Sequence, residues 1–312
     1  MNKIFTSRIT ALAAIILCVL FWGFSFISTK IALAVFPPMS LGMLRFAIAL
    51  VFLYMIKLKL APSEKLRIKD IPMLFAAGIT GVTLYFFFEN NGISLVSASE
   101  ASIAAGSIPA IIMITDYFLF RLKKKKKACA LSGQENTQPQ AVSARQWFGC
   151  FVSIAGVWLV AGVSFAISGS LLGYLYMTGA AFSWAAYSFF TRSLFKRCSA
   201  IYIVFWQSAA GFICFIPFSA MELKNWGEPT AEIMLNLLFL AVFCSAIGHW
   251  FYVKAMENLN VSVAGIFLNI IPVVTVAGGF FVLGERLTLF QWFGAALVIT
   301  GVYLAMWKKQ VN

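Results

Sequence analysis

Residues 256–307 read MENLNVSVAGIFLNIIPVVTVAGGFFVLGERLTLFQWFGAALVITGVYLAMW. Two apolar stretches, 261–284 and 289–307, are separated by the polar turn Glu285-Arg286-Leu287-Thr288. At about 1.5 Å of rise per residue, each is long enough to cross about 30 Å of hydrocarbon. The first carries Gly265, Asn269 and Pro272, and upstream Ser102, Gly106 and Pro109 repeat that spacing. Farther on, Gln146-Trp147-Phe148-Gly149 is spelled identically at Gln291-Trp292-Phe293-Gly294. A Gly-Val pair follows each at the same distance, at Gly156-Val157 and Gly301-Val302. A matched series spanning two helices marks an internal duplication.

Composition points the same way. The 312 residues are 61% hydrophobic and 11% charged, with mean hydropathy +0.89. A water-soluble core cannot absorb that much apolar surface, whereas a bilayer can. The net charge of +13 does not imply nucleic acid, because the cations sit at the ends of apolar segments and form no folded basic face.

Segments of spanning length are expected at 9–33, 38–56, 71–91, 97–120, 144–165, 171–191, 200–220, 232–253, 261–284 and 289–307. The first is too long, and lacks the small-residue context, for a cleaved signal peptide. With a cytoplasmic N-terminus the inner loops collect almost every lysine and arginine, while the outer loops receive only Lys224 and Arg286. The positive-inside rule then puts both termini in the cytoplasm. Five spans per half is odd, so the second half enters the bilayer upside down, as in transporters built from inverted repeats. The expected fold is an all-α membrane protein of ten transmembrane helices in two inverted five-helix repeats, residues 1–165 and 166–312. The basic then polar stretch 122–143 is expected as a cytoplasmic loop. Its lysine run serves as an inside-retention signal, or touches anionic headgroups. The cysteines show no metal or disulfide spacing, and no cofactor or metal is expected.

Trp22-Gly23-Phe24-Ser25-Phe26 with Lys30, then Pro38 and Leu44-Arg45-Phe46, resembles the opening of the EamA-type drug/metabolite transporters. Leu283-Gly284-Glu285-Arg286-Leu287-Thr288, with Gln291, Gly294 and Gly301-Val302, is similar to the closing signature of that family's repeat. The resemblance covers about residues 9–307. It implies two inverted five-helix repeats around a cavity lined chiefly by the first, third, fourth, sixth, eighth and ninth spans. It also implies carriage of small metabolites, often export of amino acids. The first repeat has Phe120-Arg121-Leu122 where the second has Gly284-Glu285-Arg286, so the motif's glutamate is present in one half alone.

The residues can also be read without the family. Pro109 and Pro272 lie near mid-span, where a missing N–H frees the carbonyls of Ala105 and Leu268 and kinks the helix. Such a break persists in lipid only where protein or a wet cavity covers it. Ser102, Gly106 and Pro109 share one helix face, and Gly265, Asn269 and Pro272 share the matching one. These small faces admit either a packed neighbouring helix or a substrate. Trp22 and Trp184 occupy equivalent places in the first and sixth spans, and Tyr85, Tyr187 and Tyr252 join them as candidate cavity wall, with Ser25. His249, the sole histidine, is read as a packed polar residue, a proton relay being the lesser alternative. Charges inside spans are scarce and therefore informative. Lys30, Arg45, Glu89 and Glu100 lie toward the outer side, where they neutralise one another, bind the two ends of a zwitterion, or snorkel. Arg45 is expected to pair with Glu89, and Asp116 with Arg121 or Lys123.

No Walker A sequence is present for an ATP-driven pump, no nucleophile–base motif for an intramembrane hydrolase, and nothing resembles a selectivity filter. The expectation is a non-enzymatic secondary transporter of the cytoplasmic membrane, a monomer or weak dimer in the lipid bilayer. Its small-molecule substrate is an amino acid or related metabolite for export. A nucleoside-like carrier is the runner-up within the class, and a channel-like facilitator the alternative outside it. A polyanionic substrate is disfavoured, since only Lys30 and Arg45 stand ready to meet an anion.

Overall fold

The computed structural model describes residues 2–129, 142–160, 170–195, 197–283 and 288–306, and among these there is no strand. Its helices are α1 (Asn2–Ala32), α2 (Pro38–Leu60), α3 (Ile71–Gly78), α4 (Tyr85–Leu95), α5 (Ala98–Ala105), α6 (Ile108–Cys129), α7 (Ala144–Val160), α8 (Leu171–Arg192), α9 (Ala200–Glu222), α10 (Ala231–Phe239), α11 (His249–Leu259), α12 (Val261–Phe267), α13 (Ile270–Leu283) and α14 (Leu289–Met306). The π-helical segment Ile79–Leu84 joins α3 to α4 without a break, and a second, Leu240–Gly248, joins α10 to α11. Among the described residues, and counting α5 with α6 and α12 with α13 as single rods, eight are long and apolar enough to cross a membrane, so this is a multi-pass membrane protein. α7 is apolar but has 17 residues. α8 has the length, yet its glycines and hydroxyl residues keep it outside those eight.

The helix starts follow from local chemistry. Ser97, Ser170, Ser199, Thr230 and Asn260 each cap a helix by accepting a hydrogen bond from a backbone N–H of its first turn, and a proline opens α2. Asn260 adopts φ 91° and ψ 160° in the tight turn between α11 and α12, a conformation costly for any residue with a Cβ, while its side chain caps α12 at Val263 N–H. One expectation needs correction here. The stretch from residue 122 is not loop throughout, because α6 runs on to Cys129. Lysine is a good helix former, and a helix already nucleated in α6 continues through the run. The rest of that stretch to residue 141, and the Gly284-Glu285-Arg286-Leu287 motif, lie outside the described residues.

α5 and α6 are separated by a turn at Gly106-Ser107, and α12 and α13 by a turn at Leu268-Asn269. In both, bonds shorten to the i−3 type: Gly106 N–H to Ile103 O at 2.9 Å, and Leu268 N–H to Gly265 O at 2.9 Å. Each turn lies just before its proline, which has no N–H with which to continue the ladder. α7 and α14 run antiparallel and nearly touch. A Cβ at Gly149 would lie 2.5 Å from Gly301 O, and one at Gly156 would lie 2.6 Å from Gly294 O. Only glycine permits that backbone approach. The outer faces of this pair carry exposed Phe148, Phe151, Trp158, Trp292, Phe293 and Tyr303, as a lipid-facing surface should.

The two ends of the bundle differ. One holds Lys57, Lys59, Lys65, Arg67, Arg192 and Arg197; there Arg197 pairs with Asp70 at 3.1 Å and Glu64 accepts from Ser199 Oγ at 2.8 Å. At the opposite end Glu222 accepts from Ser40 N–H at 2.7 Å, fastening α9 to α2, and Gly227 N–H meets Val35 O. The core lies between, around fully buried Tyr187, Tyr252 and Phe46. Gly81 is required there, because a Cβ would overlap the Tyr187 ring.

Candidate functional site

A small cavity of about 30 Å³, part of it open to the surface, lies between α1, α2, α4, α8, α11 and the two helix breaks. Ala105 and Ile108 border it from one break, and Leu268 and Ile271 from the other. The prolines' consequence, the interrupted backbone, is what faces the cavity.

Aromatic rings form most of the remaining wall. Trp22 and Trp184 meet edge to face at 5.2 Å between centroids, and Tyr85 stacks beside Trp184 at 4.7 Å. Behind them Tyr252 receives the Trp184 Nε1–H on its hydroxyl at 3.2 Å, and Tyr187 packs on Trp184 at 4.8 Å. Phe26 and Phe86 complete the ring set.

The polar groups are few and buried. Arg45 is 2% exposed. Its Nε–H donates to Ser245 Oγ at 2.8 Å and its guanidinium lies over Phe86 at 4.3 Å, a cation–π contact. Nη1 has no hydrogen-bond partner among the described residues. Glu89 accepts from Tyr85 Oη at 2.7 Å, one helical turn away. Ser25 Oγ donates back to Trp22 O at 2.7 Å. His249 has Nδ1 3.3 Å from Cys244 O, the carbonyl that also accepts Trp22 Nε1–H at 3.0 Å. That carbonyl and Ser245 both belong to the π-helical segment 240–248. π-Segments commonly occur at functional sites; here one presents its polar groups to side chains of α1 and α2.

Of the residues expected from the sequence, Trp22, Ser25, Arg45, Tyr85, Glu89, Trp184 and His249 share this cavity. Tyr187 and Tyr252 form its second layer. Ser102 is turned away, bonded to Ser99 O at 2.8 Å. Gly106 faces α7, where a Cβ would meet Val157 at 3.0 Å. Asn269 donates to Ser153 Oγ of α7 at 2.6 Å, and Pro109 and Pro272 are buried without lining the space. The small faces thus serve helix packing, the other reading open to them.

The expected charge pairs also rearrange. Arg45 and Glu89 share the cavity but make no ion pair; Tyr85 and Ser245 stand as their hydrogen-bond partners instead. Lys30 closes the end of α4 by donating to Ile93 O at 2.6 Å and Val96 O at 2.8 Å, a favourable place for a cation. Glu100 completes a capping box with Ser97 and accepts from Tyr174 Oη at 2.9 Å. Asp116 pairs with Arg192 at 2.6 Å and accepts from Ser262 Oγ at 2.6 Å. Arg121 lies instead over the Tyr117 ring, and the Lys123 side chain lies outside the described residues. Ser245 went unforeseen because nothing in composition marks a contact made 200 residues away. Tyr85 and Glu89 could be found, being four apart on one helix.

Comparison with known proteins bears on the fold and the class. The EamA-like transporter family matches residues 9–131 and 171–307. The chain belongs to the EamA-like transporter family. An uncharacterized transporter of Archaeoglobus fulgidus is 26% identical over 94% of this chain and 97% of its own. The transporter YetK of Bacillus subtilis, also uncharacterized, is 25% identical over 92% of this chain and 84% of its own. A protein of Escherichia coli K12 named "Probable amino-acid metabolite efflux pump" is 24% identical over 95% and 96%. A crystal structure superposes with TM-score 0.71, covering 96% of each chain at 19% identity, which supports the fold alone. This EamA-like transporter therefore has relatives named for transport along nearly its whole length.

Proposed function

We propose that the chain is a secondary transporter that exports an amino acid or closely related zwitterion by alternating access. Ten segments cross the bilayer in this reading, as two oppositely inserted halves, 1–165 and 166–312, with the basic end and both termini in the cytoplasm.

One observation carries the reading. One cavity joins a cation with an unused N–H, a carboxylate, and the two helix breaks. A carboxylate substrate satisfies Arg45 Nη1, and an ammonium balances Glu89. Charged groups that deep in a membrane are tolerated where a polar occupant meets them. The inverted arrangement is supported by α7 and α14. They carry the same Gln-Trp-Phe-Gly sequence yet run antiparallel, with Gly149 against Gly301 and Gly156 against Gly294. Those contacts exchange under a two-fold rotation that carries one half onto the other. The relative named for amino-acid metabolite efflux favours export.

Transport by this route needs only that the halves rock about the cavity. Contacts at each end of the bundle then take turns breaking. Asp116 with Arg192 and Ser262 joins α6, α8 and α12 at the basic end. Lys30 and Glu222 join α1 to α4 and α9 to α2 at the other.

The test is counterflow in proteoliposomes loaded in turn with each proteinogenic amino acid and with nucleosides. Amino-acid exchange above empty vesicles, lost in Arg45→Gln, is the expected result. Nucleoside exchange alone, or unsaturable flux, overturns the reading.

A further inference from the structure

The substrate-facing surface contains a second unsatisfied buried atom, and its chemistry is opposite to that of Arg45. His249 is 3% exposed and borders the cavity. Its Nδ1 lies 3.3 Å from Cys244 O. A carbonyl oxygen can only accept, so Nδ1 carries the proton. In the neutral ring Nε2 is then a bare lone pair, and no group among the described residues donates to it. Cys244 O also holds Trp22 Nε1–H, so one carbonyl fixes both the ring and its tautomer. Four rings clamp the imidazole: Trp22, Trp184, Phe46 and Phe86, with centroids 5.3, 5.6, 5.9 and 6.1 Å away. Phe86 is also the ring beneath Arg45 at 4.3 Å. A rigid acceptor and a rigid donor therefore flank the same aromatic floor.

An empty acceptor beside an empty donor selects a ligand with both a proton-bearing nitrogen and an anionic oxygen. Of the remaining lining, Phe26, Ala105, Ile108, Leu268 and Ile271 are apolar, and the Ser25 hydroxyl proton is already given to Trp22 O, so a third substituent meets a mostly apolar wall. Resting on the transport reading above, we infer that His249 Nε2 and Arg45 Nη1 are a two-point reader for α-amino acids with apolar side chains. The ammonium donates to His249 Nε2, the carboxylate accepts from Arg45 Nη1, and the side chain lies among the helix breaks. His249 acts here as a specificity-determining residue and exchanges no proton. Glu89 supplies charge balance to the ammonium through the Tyr85 side of the cavity.

The test is isothermal titration of the purified full-length protein with L-leucine and L-phenylalanine, their deaminated counterparts 4-methylpentanoate and 3-phenylpropionate, and L-serine. The native protein should bind at least one of the two apolar amino acids, and bind its deaminated counterpart and L-serine about tenfold or more weakly than it. In His249→Leu the amino acid should fall to the level of its deaminated partner, whose own affinity stays as it was. In His249→Gln, which restores an acceptor oxygen, amino-acid binding should recover in part. A purely structural histidine predicts equal loss for both members of a pair, and that result overturns the inference while leaving the transporter standing. Serine bound as well as leucine and phenylalanine overturns the apolar class in the same way. If His249→Leu does not fold, the native series still decides, since equal binding with and without the amine refutes the reader. Absence of binding by every amino acid overturns the inference together with the amino-acid reading beneath it.

Discussion

Arg45 and Cys198 show how differently a buried polar side chain can be held in this protein. Arg45 spends one N–H on Ser245 and its face on Phe86, leaving Nη1 for an occupant. Arg45→Lys keeps a charge but loses the planar fork that reaches Ser245 and Nη1's position together. It should therefore lower transport by about tenfold or more while the protein still assembles; transport near the native rate would show that charge alone matters. Cys198, in the turn between α8 and α9, is fully committed. Burial, with Asp70 and Glu64 close by, pushes its thiol up to about 11. The thiolate is the reactive form, so its maleimide alkylation should stay slow at pH 7–8 and accelerate only as pH climbs toward 11. Fast labelling near pH 8 by mass spectrometry would contradict that environment. Trp22 and Trp184 were legible as a pair because duplication placed them at matching positions. Arg45's true partner was not, since a hydroxyl contact between distant helices leaves no periodic trace in a chain.

At the scale of elements, Pro109 and Pro272 marked the helix breaks through their missing N–H, whereas Pro217 is carried inside α9 without interrupting it. The π-segments 79–84 and 240–248 had no such signal, as a change of hydrogen-bond register needs no special residue. The small-residue faces left two readings open for a related reason: glycine suits a packed backbone as well as a cavity, and here Gly106 meets Val157. The α7–α14 contact supplies a direct check. Gly301→Leu forces side-chain volume against Gly149 O and Ser153 N. It should destabilise the protein by at least the about 1–3 kcal/mol typical of overpacking, seen as a lowered thermal midpoint in detergent. An unchanged midpoint would mean that the helices do not approach so closely. The Asp116–Arg192 pair, 2.6 Å apart, is the element that closes the basic end in this account. Reversing either charge should impair counterflow severely, and Asp116→Arg with Arg192→Asp should recover part of it. A double variant no better than the worse single one would remove the pair from the transport cycle.

For the whole molecule, hydropathy made the multi-pass character readable because bilayer thickness acts on composition, not on detail; the orientation drawn from the positive-inside count stays part of the proposal. The cavity's exact lining depended on helix rotation, which composition does not encode. In the proposed transport cycle, the space bordered by both helix breaks meets each side of the membrane in turn. Ser25 borders it and donates only to its own helix, so Ser25→Cys in a background lacking the six native cysteines is a mild probe. Membrane-impermeant maleimide should label this cysteine in right-side-out vesicles and again in inverted ones, and a bound transported amino acid should slow both reactions. Labelling confined to one face under every condition would contradict alternating access through this cavity.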